Sequence, residues 1–141
     1  MNTSIIKFLT ERKVMSLATS INDQPYCAHC FFAFDSENNC LLFLSDENTR
    51  HISEAVQNQK VGGTINAENV SVAKLQGIQF TGHFIQPDSE VQKQMYEVYY
   101  SKHPFARAKP APIWAIELHT MKMTDNTLGF GTKHHWSKEG Y

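Results

Sequence analysis

Charge of one sign is not in excess in this chain: 13 lysines and arginines stand against 14 aspartates and glutamates, a formal net charge of −1. The long-range field that draws proteins to nucleic acid or to an anionic membrane is therefore missing, and any anion site must be local. Long apolar runs are missing too. The one near the N-terminus (Ile5, Ile6, Phe8, Leu9) is broken by Lys7 and is too helical in spacing for a secretory leader, and nothing approaches the length of a membrane span. A cytoplasmic chain with no membrane or nucleic-acid partner is expected. Cysteine is scarce, with three in all, expected to be reduced in that compartment. Cys27 and Cys30 form a C-x-x-C, but residues three apart on a strand point to opposite faces and no second such pair follows. They read as small buried hydrophobes, and no metal site is expected. Nucleophile elbows, glycosidase-like carboxylate pairs and H-E-x-x-H are all absent, which leaves hydrolysis unsupported and catalytic residues unassigned. With no repeat and no low-complexity stretch, residues 1–141 form one domain on the usual length prior.

What is present is concentrated at residues 40–56. A short apolar strand (Cys40, Leu41, Leu42, Phe43, Leu44) meets a polar turn, and Ile52, Ala55 and Val56 then recur at helical spacing, with Asn48 as the expected N-cap. Arg50 and His51 fall in the first turn, where the helix dipole disfavours cations and free backbone N–H groups favour an anion. A bound phosphate would remove that conflict, and Ser45, Thr49, Arg50 and His51 supply the donors for one. The alternative is local pairing of Arg50 with Asp46 or Glu47 on a wet surface.

Around this junction the chain alternates. A first helix ends near Lys13, a strand over 14–20 and turn chemistry at 21–25 predict a hairpin, and residues 26–34 predict one long strand with both faces partly buried. A short strand at 61–65 carries Gly62 and Gly63, where something approaches the backbone closely, and a polar loop follows over 66–71. A long strand over 72–86 holds Gly77 and Gly82, which suggest bulges. Ser89 and Gln92 form a capping-box pattern for a helix ending near His103, and residues 113–123 make the last clear strand. The tail, with Gly129-Phe130-Gly131-Thr132-Lys133, hints at a phosphate loop without Walker spacing, and His134 or His135 offers an axial haem ligand or an ordinary surface role. The expected fold class is mainly β with inserted helices, a six-stranded antiparallel barrel whose closure removes exposed edges.

The Pro25-started strand, the strand ending in Ser45, the Thr49-Arg50-His51 turn opening a helix, and Gln79-Phe80-Thr81-Gly82 resemble the pyridoxamine 5'-phosphate oxidase-like FMN-binding split barrels. The segment TDNTLGFG from Thr124 to Gly131, Trp136, and Gly77-Ile78-Gln79-Phe80 resemble the small YhbP-like bacterial branch of that superfamily. Two positions depart from the family pattern: Ala28 replaces an arginine three residues after the proline, and His51 replaces a lysine, both lowering the charge of the anion site. The extended C-terminal substrate-phosphate motif of the true oxidases is not evident, which argues against pyridoxamine phosphate as substrate. The resemblance implies a homodimeric FMN flavoprotein, an oxidoreductase of unknown small-molecule substrate, with a flavin or haem carrier on the same scaffold as the alternative and a cofactor-free metabolite-binding dimer as a third reading. It implies Ser45, Thr49, Arg50 and His51 at the phosphate, Cys27, His29, Cys30, Gln79 and Thr81 at the ring walls, and Lys133 and Trp136 contributed by the second subunit. Apolar faces left by Trp114 and Phe31 are the motive for the dimer.

Overall fold

The computed structural model describes residues 1–68 and 71–141, so part of the polar loop expected over 66–71 lies outside the described residues. Among the described residues, eight strands and three α-helices follow one another as α1 (Thr3–Glu11), β1 (Val14–Ile21), β2 (Gln24–Phe31), β3 (Ala33–Asp35), β4 (Cys40–Leu44), α2 (Arg50–Gln57), β5 (Lys60–Asn66), β6 (Gln76–Ile85), α3 (Ser89–Lys102), β7 (Ile113–Asp125) and β8 (Lys133–Ser137). All pairings are antiparallel, in the order β2-β1-β5-β6-β7-β4-β3, with β8 added to β7.

The expectation of six strands is corrected in two places. The single strand expected over 26–34 is interrupted at Phe32, whose N–H donates to the Lys13 carbonyl at 2.8 Å and whose carbonyl lies 2.7 Å from His103 Nε2. The segment before it pairs with β1 and the segment after it with β4, so the two ends of the hydrogen-bonded path are consecutive in the chain and the sheet curls on itself. The eighth strand, β8, is polar and short, and alternation alone gave no sign of it. The β1–β2 hairpin turns through Asn22 and Asp23, both at positive φ (50° and 62°), the geometry that two-residue hairpin turns require. Two helix caps differ by one residue from expectation: Thr49 and Asp88 precede α2 and α3, and Gln92 donates to the Pro87 carbonyl instead of closing a capping box, while Asn2 caps α1.

Alternation places the core. Inward residues of the curled sheet (Leu17, Cys30, Leu41, Phe43, Ile65, Phe80, Phe84, Leu118) bury against α1 and α2 through Ile5, Phe8, Leu9, Ile52 and Ala55. Strand β4 is apolar throughout because it is covered twice: Leu41 and Phe43 face this core, while Cys40 and Leu42 face a second cluster under α3, with Ala33, Met95 and Tyr99. Phe80 fills the space over Gly63, the close approach expected at the glycine pair.

Candidate functional site

The turn between β4 and α2 gathers hydroxyls around one imidazole. Ser45 is anchored by its backbone, its N–H donating to the Pro112 carbonyl at 3.1 Å and its carbonyl accepting from Trp114 Nε1 at 2.9 Å. Its Oγ then lies 2.8 Å from His51 Nε2 and 3.3 Å from Thr49 Oγ1. Thr49 occupies the N-cap position without capping, because its hydroxyl donates to the Asp46 carbonyl at 2.9 Å. No acidic side chain lies in the first turn of α2, so its leading N–H groups have no side-chain acceptor. That donor set fits a phosphate, with less positive charge than the sequence suggests.

Arg50 is engaged along the helix and not with Asp46 or Glu47. Its Nε donates to Glu54 Oε2 at 2.8 Å, an i,i+4 pair, and its guanidinium lies 4.1 Å from the centre of the Tyr26 ring. Glu54 is buried and also accepts from Thr19 Oγ1 at 2.9 Å, and the Arg50 hydrogen bond, with that from Thr19, holds its carboxyl below the usual range. Since only Nε is committed, the two terminal nitrogens of Arg50 remain for an incoming oxyanion.

Burial holds the His51 imidazole below its ordinary value of 6.5. Cys30 lies 4.0 Å from the same nitrogen, and burial pushes its thiol up to about 11, so it is an inert neighbour and not a nucleophile. A group whose pKa falls on folding contributes stability above its unfolded value and loses it as pH falls through the folded one. Between about pH 7 and pH 5 the wild type is therefore expected to lose more stability than His51→Gln, as read by urea unfolding at each pH. Equal slopes would place the acid sensitivity elsewhere, since the lowered carboxyls of Glu54, Glu117 and Asp125 act only below their usual 4.5, 4.5 and 3.8.

The second set of expected residues lies on the outer face of the sheet. Register aligns His29, Ser16, Thr64, Gln79, Lys122 and His135 in one cross-strand row, and Cys27, Ala18, Gly62, Thr81, Thr120 and Ser137 in the next. A cleft of about 530 Å³ opens over β6, β7 and β8, lined in part by Gln79, Thr81, Thr120, Lys122, His135 and Ser137. The hydroxyls of Thr81 and Thr120 meet at 2.6 Å.

The structure thus divides the expected ring-wall residues. Cys30 is buried beside His51, whereas Cys27 and His29 are exposed on the outer face, which corrects the reading of Cys27 as a buried hydrophobe and of β2 as covered on both faces. Lys133 is exposed and Trp136 packs inward, so these two share no face of β8. Trp114 is buried within its own chain, while Phe31 is 60% exposed opposite Val14 at 41%. Sequence reasoning missed Glu54 and Tyr26 as partners of Arg50, and Thr120, Lys122 and His135 in the cleft. The i,i+4 spacing of Arg50 and Glu54 was the available signal for the first; the others required the register.

No family model matches the chain. The UPF0306 protein YhbP of Salmonella paratyphi C (strain RKS4594) is 35% identical over 137 residues, covering 97% of this chain and 93% of that protein, and that of Salmonella choleraesuis (strain SC-B67) matches equally. Among solved structures, a heme binding protein from Mycobacterium smegmatis superposes with a TM-score of 0.78 at 10% identity, over 97% of this chain and 59% of that one. A FAD-binding protein from Mesorhizobium loti gives 0.71 at 16% identity over 87% and 94%, and a NimC/NimA family protein from Clostridium acetobutylicum gives 0.70 at 21% over 96% and 90%. At these identities the structural likeness shows a shared fold.

Proposed function

We propose, from the premise that the chain belongs to the UPF0306 YhbP family and has the pyridoxamine 5'-phosphate oxidase-like split-barrel fold, that it binds FMN between two copies of itself and serves as an oxidoreductase for a small molecule. The observation that carries the reading is the convergence of Ser45, Thr49 and His51 at an uncapped helix start. Ser45, Thr49 and the first-turn N–H groups would hold the phosphate, Arg50 would turn its terminal nitrogens to it, and His51 would donate once protonated. The bound flavin would supply electron-pair transfer, and the chain supplies placement, which accounts for the lack of an acid–base pair.

Two copies enter the proposal because the cleft holding Gln79 and Thr81 contains none of Ser45, Thr49, Arg50 and His51. A second copy would bring its Gln79 and Thr81 to a ring whose phosphate sits on the first, and the exposed Phe31 and Val14 give that association an apolar contact. A haem carrier is the second reading, favoured by His135 in the outer cleft.

Calorimetric titration with FMN and riboflavin tests the assignment, because riboflavin has the same ring and no phosphate. Arg50→Ala is expected to weaken FMN binding roughly tenfold or more, the loss of one charge-assisted contact, and to leave riboflavin nearly unchanged. Parallel losses, or none, would overturn the phosphate site. A Soret band in protein supplied with haem, and no flavin uptake, would select the carrier reading.

A further inference from the structure

We infer that the outer cleft over β7 and β8 is an anion site for a small organic acid, with Lys122 as its principal charge and Lys133 and His135 flanking it. The register puts Lys122 directly opposite His135, and Thr124 opposite Lys133, so the two lysines are diagonal neighbours on one face. Like charges so placed repel each other, and long side chains reach across that diagonal. Nothing acidic answers them: among the described residues the ion pairs join Arg12 to Glu11, Arg50 to Glu54, and Glu117 to His119 and Lys138. A basic cluster kept without a partner, in a chain of net charge −1, is stabilised by an anion from outside.

The cleft limits what that anion is. Its volume of about 530 Å³ suits a small molecule, and three basic residues make too small a field for nucleic acid. Beside Lys122 stand the Gln79 amide and the Thr81 and Thr120 hydroxyls, which donate only one hydrogen to each other and so keep one free for the ligand. A carboxylate or phosphate ester on a compact body satisfies all of these. The inference stands apart from the flavin reading: the same Gln79 and Thr81 would meet a flavin ring, so the acid occupies this cleft in the ring's absence and its binding needs no flavin.

The experiment titrates the chain, with and without FMN, against benzoate, phenyl phosphate and benzamide. At least one of the two anions is expected to bind about tenfold more tightly than neutral benzamide, and which one does so distinguishes carboxylate from phosphate ester. Lys122→Met should erase that preference, and Lys133→Ala, at an exposed position where folding is not at stake, should reduce it several-fold and steepen no salt dependence. Benzamide binding as tightly as both anions, or anion affinity untouched in Lys133→Ala and in a folded Lys122→Met or Lys122→Gln, would overturn the site. The FMN titration of the same samples reports separately: anion binding through Lys122 without FMN uptake sinks the flavin reading and leaves this site standing.

Discussion

Gly63→Ala is expected to leave little folded protein at physiological temperature. A Cβ built on Gly63 would lie 2.2 Å from the Ser16 carbonyl oxygen and 2.5 Å from Phe80 Cζ, distances that real carbon contacts do not reach. The first obstacle is backbone of β1, across the β1–β5 pairing of Leu17 with Gly63, so it cannot swing aside as a side chain would. The second is a ring of the main core, 3% exposed and without room to retreat. Relief therefore requires separating β1 from β5 or displacing Phe80, and a cost of about 3 kcal/mol or more is the upper range for overpacking. Thermal unfolding would show a midpoint lowered by roughly 10 °C or an insoluble product. Gly62→Ala, next door but facing outward with only the Phe80 carbonyl at 3.2 Å, is the control and should lose far less. Equal behaviour of the two would mean that the Phe80 ring does not pack over Gly63.

Trp114→Ala is expected to cost about 3–5 kcal/mol, the usual price of emptying a buried aromatic site. Trp114 is 4% exposed, stacks on Phe84 with centroids 5.3 Å apart, and sits opposite Phe43 in the β4–β7 pairing. It does a second thing, because its indole N–H is the donor to the Ser45 carbonyl. Trp114→Phe keeps most of the packing and deletes only that donor, so its stability loss should be about 1–3 kcal/mol, the range for an orphaned buried acceptor. If Ser45 is a phosphate ligand, the same variant should weaken FMN more than riboflavin. Chemical denaturation of both variants separates the two roles; a Phe variant as stable as the wild type would mean that the indole hydrogen bond contributes nothing.

Local signals were legible in the sequence wherever one interaction range decided the outcome. Asn22-Asp23 between two alternating runs gave the hairpin, the apolar run 40–44 gave β4, and the Ile52–Ala55 spacing gave α2. The break at Phe32 was not legible, because side-chain alternation continues through it while the backbone changes partner, from β1 to β4. Nor was β8, whose residues KHHWS carry no alternation of hydrophobicity strong enough to stand apart from a polar tail. At the site, the gathering of Ser45, Thr49 and His51 follows from chain proximity and was readable. The row joining Gln79 to Lys122 and His135 was not, since it depends on the register across β6, β7 and β8, and the β6–β7 ladder shifts between Thr81 and Gly82.

The pairing of β4 with β7 has a kinetic meaning. β4 meets β3 across a short turn, but it meets β7 only after α2, β5, β6 and α3 have intervened, with Leu44 opposite Ile113. Closing so long a loop costs chain entropy before it returns contact energy, so this pairing is expected in the late, slow part of folding. The Trp114 bond to Ser45 and the Pro112 bond to the Ser45 N–H both hang on it. Until the last long-range closure the hydroxyl cluster has no fixed address, and a ligand that recognises it selects completed molecules, drawing the population toward the native state by mass action.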